Sequence, residues 1–309
     1  MKAVGNLHRW IHRAGWPGYI FIPQIHRSGL AFAMTIRLAI LGGLLAGSVL
    51  SSPQDFKIKP VPGGKLAPFQ KVFKKYVNVF GVHCFATART PDAKLRHAAI
   101  IMAEYLDNDE DGRPDNPAVV AALMKHNAFL AMTATERELE RLDHEAFEAA
   151  GFHSGQGQFA TETLPGGRRF DATLEEVLHL ITHEGYARAY PRVFGERPGT
   201  ELAKCLDRAR GGHFKRVPRR YPKGAWFTYD DRTCDYGCQC TEYLYWAITS
   251  VLGAQKAKHR REEISNEWRL YSRELVRTRD PHIFKLITDP KYRLPTRLPD
   301  GVYRAGVRQ

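Results

Sequence analysis

The sequence lacks several features that would assign it directly to a familiar class of protein. It has no glycine-rich phosphate-binding loop, no regular alternation of strands and helices, no internal repeat and no low-complexity tract. The uncharged apolar run from Leu38 to Leu50 spans 13 residues, whereas a membrane-spanning helix needs roughly 20. These absences argue against a nucleotide-binding fold with a parallel sheet, and against reading this run as a simple membrane span.

Acidic residues are absent from the first 51 positions, which hold five of the cations behind the net charge of +13. The remaining positive charge is not gathered on a helix suited to a nucleic-acid groove, or in a basic run interleaved with aromatic residues. We therefore expect no nucleic-acid partner. The length of 309 residues is enough to bury a full hydrophobic core.

Residues 1–52 have the pattern of a targeting segment. Arg37 precedes the apolar run, and the small residues Ser51 and Ser52 follow it, as in a secretory signal peptide. A signal that begins at Met34 has the usual compact length, which favours this start over Met1. If Met1 is the start, residues 30–50 form an uncleaved membrane anchor instead. Both interpretations predict a secreted or otherwise extracytoplasmic domain that meets the membrane only through this segment.

The sequence contains five cysteines, three of them crowded into one short stretch. In an oxidising compartment, close cysteines form disulfides. We expect a local bridge between Cys234 and either Cys238 or Cys240. Because five is an odd number, at least one thiol stays free or pairs between chains. A zinc knuckle is disfavoured because a fourth close ligand is missing.

Helical periodicity dominates the chain beyond a linker at residues 53–68, so we predict one domain over residues 69–309. Strands are expected at Val77–Phe85 and Ala128–Thr133, and a loop at residues 151–169. Helices are expected at Pro91–Leu106, Ala118–Lys125, Thr135–Ala149, Thr173–Tyr190, Thr200–Arg210, Thr241–Ala254 and Arg260–Arg277. The predicted fold class is α+β, a predominantly helical single domain with a few short strands.

An Asp-rich loop at residues 107–116 has the composition of a calcium site. Carboxylates at alternate positions followed by a glycine bring several hard oxygens round one centre. The loop resembles the calcium loops of extracellular modules and the first half of an EF-hand, although Ala118 replaces the bidentate Glu at the twelfth position. A solvated turn that caps the next helix is the alternative. The predicted Ca²⁺ ligands are Asp107, Asp109, Asp111 and Asp115.

One predicted helix, Thr173–Tyr190, carries chemically active side chains along one face. His179 and His183 are four residues apart, so in an α-helix both imidazoles point the same way and one divalent metal can bridge them. Glu175 and Glu176 share this face. Thr173 and Glu176 also match a capping box, and Glu175 suits a helix N-terminus, which gives both glutamates a structural explanation.

A later helix supplies a third candidate ligand and an aromatic donor. Glu242 shares one face of that helix with Tyr245, while apolar residues occupy the other face. We predict a Zn²⁺ site formed by His179, His183 and Glu242. In hydrolysis, Glu176 is the candidate general base, and Tyr186 or Tyr245 the candidate donor to a developing oxyanion.

This ligand set resembles that of zincin metallopeptidases, specifically the branch whose third zinc ligand is Glu. The resemblance covers one helix and one later ligand, and it implies a zinc-activated water and a peptide or other extracellular substrate. The sequence departs from the family where the catalytic base is expected, with Leu180 after the first His and Thr182 before the second.

Two alternatives remain open at this point. The chain is either an exported metal-dependent hydrolase, peptidase-like, or a non-catalytic exported calcium-binding protein, which Leu180 at the base position favours. The spacing from Glu176 to His179 also occurs in di-iron bundles, but these need a second Glu-x-x-His motif, which the sequence lacks.

Overall fold

The computed structural model describes residues 56–142, 144–167 and 169–305, and it confirms the predicted α+β class. Strands are β1 (Phe73–Val79), β2 (Val82–Thr87), β3 (Phe129–Thr133) and β4 (Gly155–Phe159). Helices are α1 (Asp92–Leu106), α2 (Pro117–Lys125), α3 (Glu136–Leu139), α4 (His144–Ala149), α5 (Thr173–Leu180), α6 (Glu201–Arg210), α7 (Tyr236–Leu252), α8 (Lys258–Ile264), α9 (Arg273–Arg279) and α10 (Pro281–Ile287).

The four strands form one mixed sheet in the order β1-β2-β3-β4. The pair β1 and β2 is antiparallel, whereas β2 pairs with β3 and β3 with β4 in parallel. The sequence predicted a single strand over Val77–Phe85. The structure instead divides this stretch into a hairpin, because Phe80 and Gly81 take positive φ angles of 48° and 93° and reverse the chain.

The two faces of the sheet bury different partners. One face carries an aromatic cluster in which Phe69 stacks on Phe85 and Phe147, with ring centroids 4.3 and 4.5 Å away. The other face packs against the main core, where α5 contacts α1, β4 and α7. This packing places α5 between the sheet and α7. The two helices that carry the predicted metal ligands, α5 and α7, therefore lie inside the domain.

Several predicted helix boundaries agree with local chemistry in the structure. The Asn116 side chain accepts a hydrogen bond from the amide of Val119 and starts α2, with Pro117 in its first turn. Gly211 ends α6 with φ at 76°, in the left-handed region. Asp235 caps α7 by accepting from the amide of Cys238, so α7 begins five residues before the predicted start at Thr241.

Other elements differ from prediction. The predicted helix at 135–149 is two short helices, and the one at 260–277 is broken between α8 and α9, where the backbone of residues 227 and 268 forms a bridge. Strand β4 lies in the stretch predicted as a loop. Its glycines and glutamines gave no strand pattern, but alignment on β3 supplies the backbone hydrogen bonds.

The folded part begins earlier than the predicted boundary at Phe69. The backbone of Lys59 pairs with that of Tyr76, and Val61 and Leu66 are buried within the predicted linker. The targeting segment predicted over residues 1–52 lies outside the described residues. None of the helices in the described ranges combines the length and the apolar character needed to cross a membrane.

Candidate metal centre

The helix that carries the candidate ligands is regular only in its first half. Helix α5 ends at Leu180 and continues as a π-helical segment, Ile181–Tyr186, followed by a last α-helical turn, Ala187–Ala189. π-Helical segments are rare in proteins as a whole, and those that occur often lie at functional sites. Gly185 lets this segment approach α2 closely, since a Cβ atom at that position would lie 2.6 Å from a methyl carbon of Val119.

The predicted capping box is not formed. The residue before the helix is Ala172, and the Thr173 hydroxyl donates to Asp171 at 2.7 Å. The Glu176 carboxylate accepts a 2.6 Å hydrogen bond from the Gln156 amide on β4. The structural explanation that the sequence offered for Glu176 therefore does not apply.

Glu175, His179 and Glu242 form a compact group of potential ligand atoms. One oxygen from each glutamate and one imidazole nitrogen all lie within 4.8 Å of one another. His179 Nε2 and Glu242 Oε1 are 3.7 Å apart. The side chains come from α5 and α7, and their exposed fractions are only 6%, 2% and 1% in chain order. Two carboxylates and an imidazole at this separation can bind one divalent metal ion.

Tyr245 contacts two members of this group. Its ring meets the His179 ring edge to face, with centroids 5.3 Å apart. Its hydroxyl also hydrogen-bonds to Glu175, and burial together with the charge of Glu175 raises the pKa of this phenol far above its ordinary value. The sequence predicted Tyr245 as an oxyanion donor, whereas in the structure its hydroxyl is engaged with a candidate ligand.

Further carboxylates surround the group. Burial raises the pKa of Glu176 well above its ordinary value, and the charges of Glu162, Glu175 and Glu242 raise it further. Burial likewise raises the pKa of Glu162 to about 8. Like charges gathered in a low-dielectric interior repel one another, so this cluster favours bound protons or a bound cation.

His183 lies outside the group, in contrast to the prediction. Its Nδ1 is 2.5 Å from Glu196, and its Nε2 is 3.2 Å from Glu184. Burial alone would lower the pKa of His183, but these two carboxylates raise it to about 10. Both ring nitrogens of the imidazole are therefore engaged by carboxylates, and the regular α-helical spacing on which the prediction depended ends at Leu180.

Tyr186 also lies away from the position that its predicted role as an oxyanion donor requires. Its hydroxyl donates to the backbone oxygen of Arg293 at 2.9 Å, and its ring packs against Tyr190 and Phe194. The side chain thus fastens the C-terminal tail to the core. The predicted active face of the helix therefore has two different environments. Around His179 it belongs to the buried ligand group, and at Tyr186 it forms an aromatic contact with the tail.

The acidic loop forms a second group of carboxylates. Asp107, Asp109 and Asp115 each bring one oxygen within 4.8 Å of the others, whereas Asp111 is not in this group. The Asp111 side chain instead accepts from the amide of Arg113 at 2.8 Å. The structure therefore assembles three of the four predicted calcium ligands.

Backbone amides and the C-terminal tail already hold this loop. Asp107 accepts hydrogen bonds from the amides of Asp111 and Gly112 at 3.1 and 2.9 Å, and another from the Tyr303 hydroxyl. Asp115 accepts from the amide of Asn108 at 2.7 Å. Burial raises the pKa of Asp107 to about 6 although these donors oppose the shift.

The structure settles the local disulfide that the sequence left open. Cys234 is bonded to Cys238 across the start of α7, and the thiols of Cys84, Cys205 and Cys240 are buried. The bridge closes the turn that leads into the helix carrying Glu242. Disulfides of this kind persist in oxidising compartments.

Sequence reasoning placed Glu175 on the active face but did not select it as a ligand. The available signal was the spacing of four residues between Glu175 and His179, the same spacing that was used for the histidine pair. The preference of glutamate for a helix N-terminus accounted for the position of Glu175 equally well, so Glu175 was not chosen as a ligand.

Comparisons with known proteins found no match for this chain. No protein-family model matches the chain, and no curated protein or solved structure is significantly similar to it.

Proposed function

We propose that this protein is an exported metal-dependent hydrolase whose metal ion is bound by Glu175, His179 and Glu242. The observation that carries the proposal is the convergence of two carboxylates and an imidazole, from two helices distant in sequence, in a nearly fully buried group. Three protein ligands leave a coordination position for water or substrate, as catalytic zinc sites require.

The donor set fits a divalent transition metal. Imidazole suits zinc and iron, while carboxylates suit harder ions, so a mixed set is compatible with Zn²⁺, Mn²⁺ or Fe²⁺. Burial and mutual repulsion oppose the charged forms of the neighbouring Glu162 and Glu176, so a bound cation would stabilise these carboxylates. Because His183 is paired with Glu196, the ligand set is richer in carboxylate than the zincin pattern, and Zn²⁺ remains the first ion to test.

In the proposed hydrolysis, the bound metal and the side chains of this chain have different roles. When bound, the metal would lower the pKa of a water molecule to about 7 and polarise a substrate carbonyl. Glu176 is the buried carboxylate beside the ligands, and Gln156 fixes its orientation. We assign Glu176 the role of general base, which requires the bound cation to lower the raised pKa of this carboxyl. Tyr186 has no role in this proposal, because its hydroxyl binds the tail.

The acidic loop supports a separate structural role for Ca²⁺. Asp107, Asp109 and Asp115 supply carboxylate oxygens from one short segment, which is how calcium loops are built. A calcium ion and the Cys234–Cys238 bridge both accord with export. If the loop binds Ca²⁺ and the buried group binds nothing, the protein is instead a non-catalytic calcium-binding protein.

Metal analysis of two matched variants tests the proposal. His179→Gln removes a ligand, whereas His183→Gln changes the same residue type one turn later, outside the group. We expect about one transition-metal ion per chain in the wild type. His183→Gln should retain this ion and His179→Gln should lose it.

Hydrolysis of a peptide mixture by the full chain, with and without a chelator, provides the activity readout. The wild type and His183→Gln should cleave peptides and lose this activity on chelation, and His179→Gln should be inactive throughout. Retention of the metal by His179→Gln would refute the site. Calcium as the sole bound metal, with no hydrolysis, would establish the calcium-binding alternative.

A further inference from the structure

Tyr245 contacts both candidate ligands that α5 supplies, Glu175 and His179. It is fully buried, its ring lies against His179, and its hydroxyl bonds to Glu175. One side chain on α7 thus touches both candidate ligands on α5. Groups that hold metal ligands in place in this way commonly determine metal affinity.

Arg260 holds Tyr245 from the other side. Its Nη2 is 3.4 Å from the Tyr245 hydroxyl, and its Nε donates to Gln255 at 2.8 Å. The Gln255 amide in turn lies 3.3 Å from the same hydroxyl. These donors occupy the acceptor side of the phenol oxygen, so its proton is directed toward Glu175.

The position of Arg260 is itself fixed by packing. Its guanidinium lies over the Phe170 ring at 3.9 Å and over the Trp246 ring at 5.4 Å. It also forms an ion pair with Glu263 at 3.0 Å. A buried guanidinium held on two aromatic rings has little freedom to move, so it can fix the orientation of the phenol.

We propose that Tyr245, held by Arg260, is a positioning residue that fixes Glu175 and His179 in their metal-binding geometry. This inference rests on the proposed metal centre and assigns the residues that maintain it. Without the hydroxyl, Glu175 can turn away from His179, and metal binding then costs the ordering of that side chain.

Tyr243 provides a matched control on the same helix. It is also fully buried, and its hydroxyl donates to a different carboxylate, that of Asp280, at 2.6 Å. Tyr243→Phe and Tyr245→Phe therefore each remove one buried hydroxyl bonded to one carboxylate. Only Tyr245→Phe removes a contact with a candidate ligand.

The test measures Zn²⁺ affinity by competition with a chelating dye, and the visible spectrum of the Co²⁺-loaded full chain. We expect Tyr245→Phe to weaken Zn²⁺ binding about tenfold or more and to alter the Co²⁺ spectrum. Tyr243→Phe should leave both unchanged. Far-UV circular dichroism confirms folding, and Arg260→Lys is the second variant if Tyr245→Phe does not fold.

The outcomes separate this inference from the proposed function. If the wild type binds no Zn²⁺ or Co²⁺, the metal centre itself is refuted. If the wild type binds metal but Tyr245→Phe, or Arg260→Lys in its place, matches Tyr243→Phe in affinity and spectrum, only the positioning role is refuted. A weaker affinity with an altered spectrum supports the role, because a purely structural hydroxyl would not change the ligand field.

Discussion

The buried group at Glu175, His179 and Glu242 and the acidic loop at Asp107, Asp109 and Asp115 both bring three ligand atoms within the same distance. They differ in what else the carboxylates contact. In the loop, backbone amides of the same loop donate to Asp107 and Asp115. In the buried group, the ligands come from separate helices and are surrounded by further carboxylates and a phenol.

This difference shows why the distance between ligand atoms is a weak criterion for a metal site. Amide hydrogen bonds offset part of the cost of burying a carboxylate charge whether or not a cation binds, although burial still raises the pKa of Asp107. A carboxylate among other buried carboxylates has its charge opposed until a cation or proton arrives. We therefore expect the buried group to respond more strongly to metal than the loop does.

The largest effect is expected for Glu242→Gln, and its sign should depend on metal. Relative to chelator, a transition metal at about 100 times its dissociation constant should stabilise the wild type by about 2.7 kcal/mol, and the variant should not gain this increment. In chelator, the same change removes one of several like charges and should raise the free energy of unfolding by about 1 kcal/mol.

Urea unfolding of the full chain in both conditions measures the two effects. Glu145→Gln is the control, because it neutralises an exposed glutamate of α4, outside both carboxylate groups. Loss of stability of equal size in chelator and in metal would show that Glu242 serves packing alone.

An intermediate effect is expected from the pH dependence of the loop. The pKa of Asp107 is about 6 in the folded protein against an ordinary value of 3.8. A carboxyl group with a raised pKa takes up its proton more readily when folded, so its stabilising contribution is complete below pH 3.8 and is lost as the pH rises through 6.

In chelator, the stability of the wild type should therefore increase relative to Asp107→Asn as the pH falls from 7 to 4, by about 2 kcal/mol. Asp230→Asn, at an exposed aspartate outside the loop, serves as the control. Urea unfolding at several pH values gives the comparison. A difference between wild type and Asp107→Asn that is constant with pH would contradict the assigned cost of burial.

The smallest effect is expected for Tyr303→Phe. This change removes the hydroxyl that donates to Asp107 from the C-terminal tail. Loss of one hydrogen bond to a buried carboxylate should lower the free energy of unfolding by about 1 kcal/mol. Zn²⁺ affinity should not change, because the lost hydrogen bond belongs to the acidic loop. A change in Zn²⁺ affinity as large as that of Tyr245→Phe would mean that the loop and the buried group are coupled.

The sequence predicted the fold class and two members of the buried group because these depend on local patterns. Helical periodicity located α5 and α7, and with them His179 and Glu242. The spacing of His183 was an equally good pattern, yet Glu196, from a loop 13 residues later, binds it instead. No local rule indicates such a partner, since the pairing depends on how the chain turns after the helix.

Tertiary pairing also explains what was missed in the fold. Four of the five residues of strand β4 are glycine or glutamine, and the strand forms because β3 offers it a hydrogen-bonding edge. The tail beyond α10 contains no helix or strand in its described part, up to residue 305. Its contacts with the acidic loop join residues almost two hundred positions apart, as in the bonds of Asn108 to Thr296 and Arg297.

That tail determines where this domain can be cut for biochemical work. A boundary chosen at Ile287, where the last helix ends, would discard the chain that caps the aspartate loop and receives the Tyr186 hydroxyl. Asn116 would also lose the carbonyl of Tyr292, and with it one of its contacts at the start of α2. Expression clones that are trimmed to the regular secondary structure should therefore be less stable than the full chain, and a fusion partner is better joined through a spacer beyond Arg304.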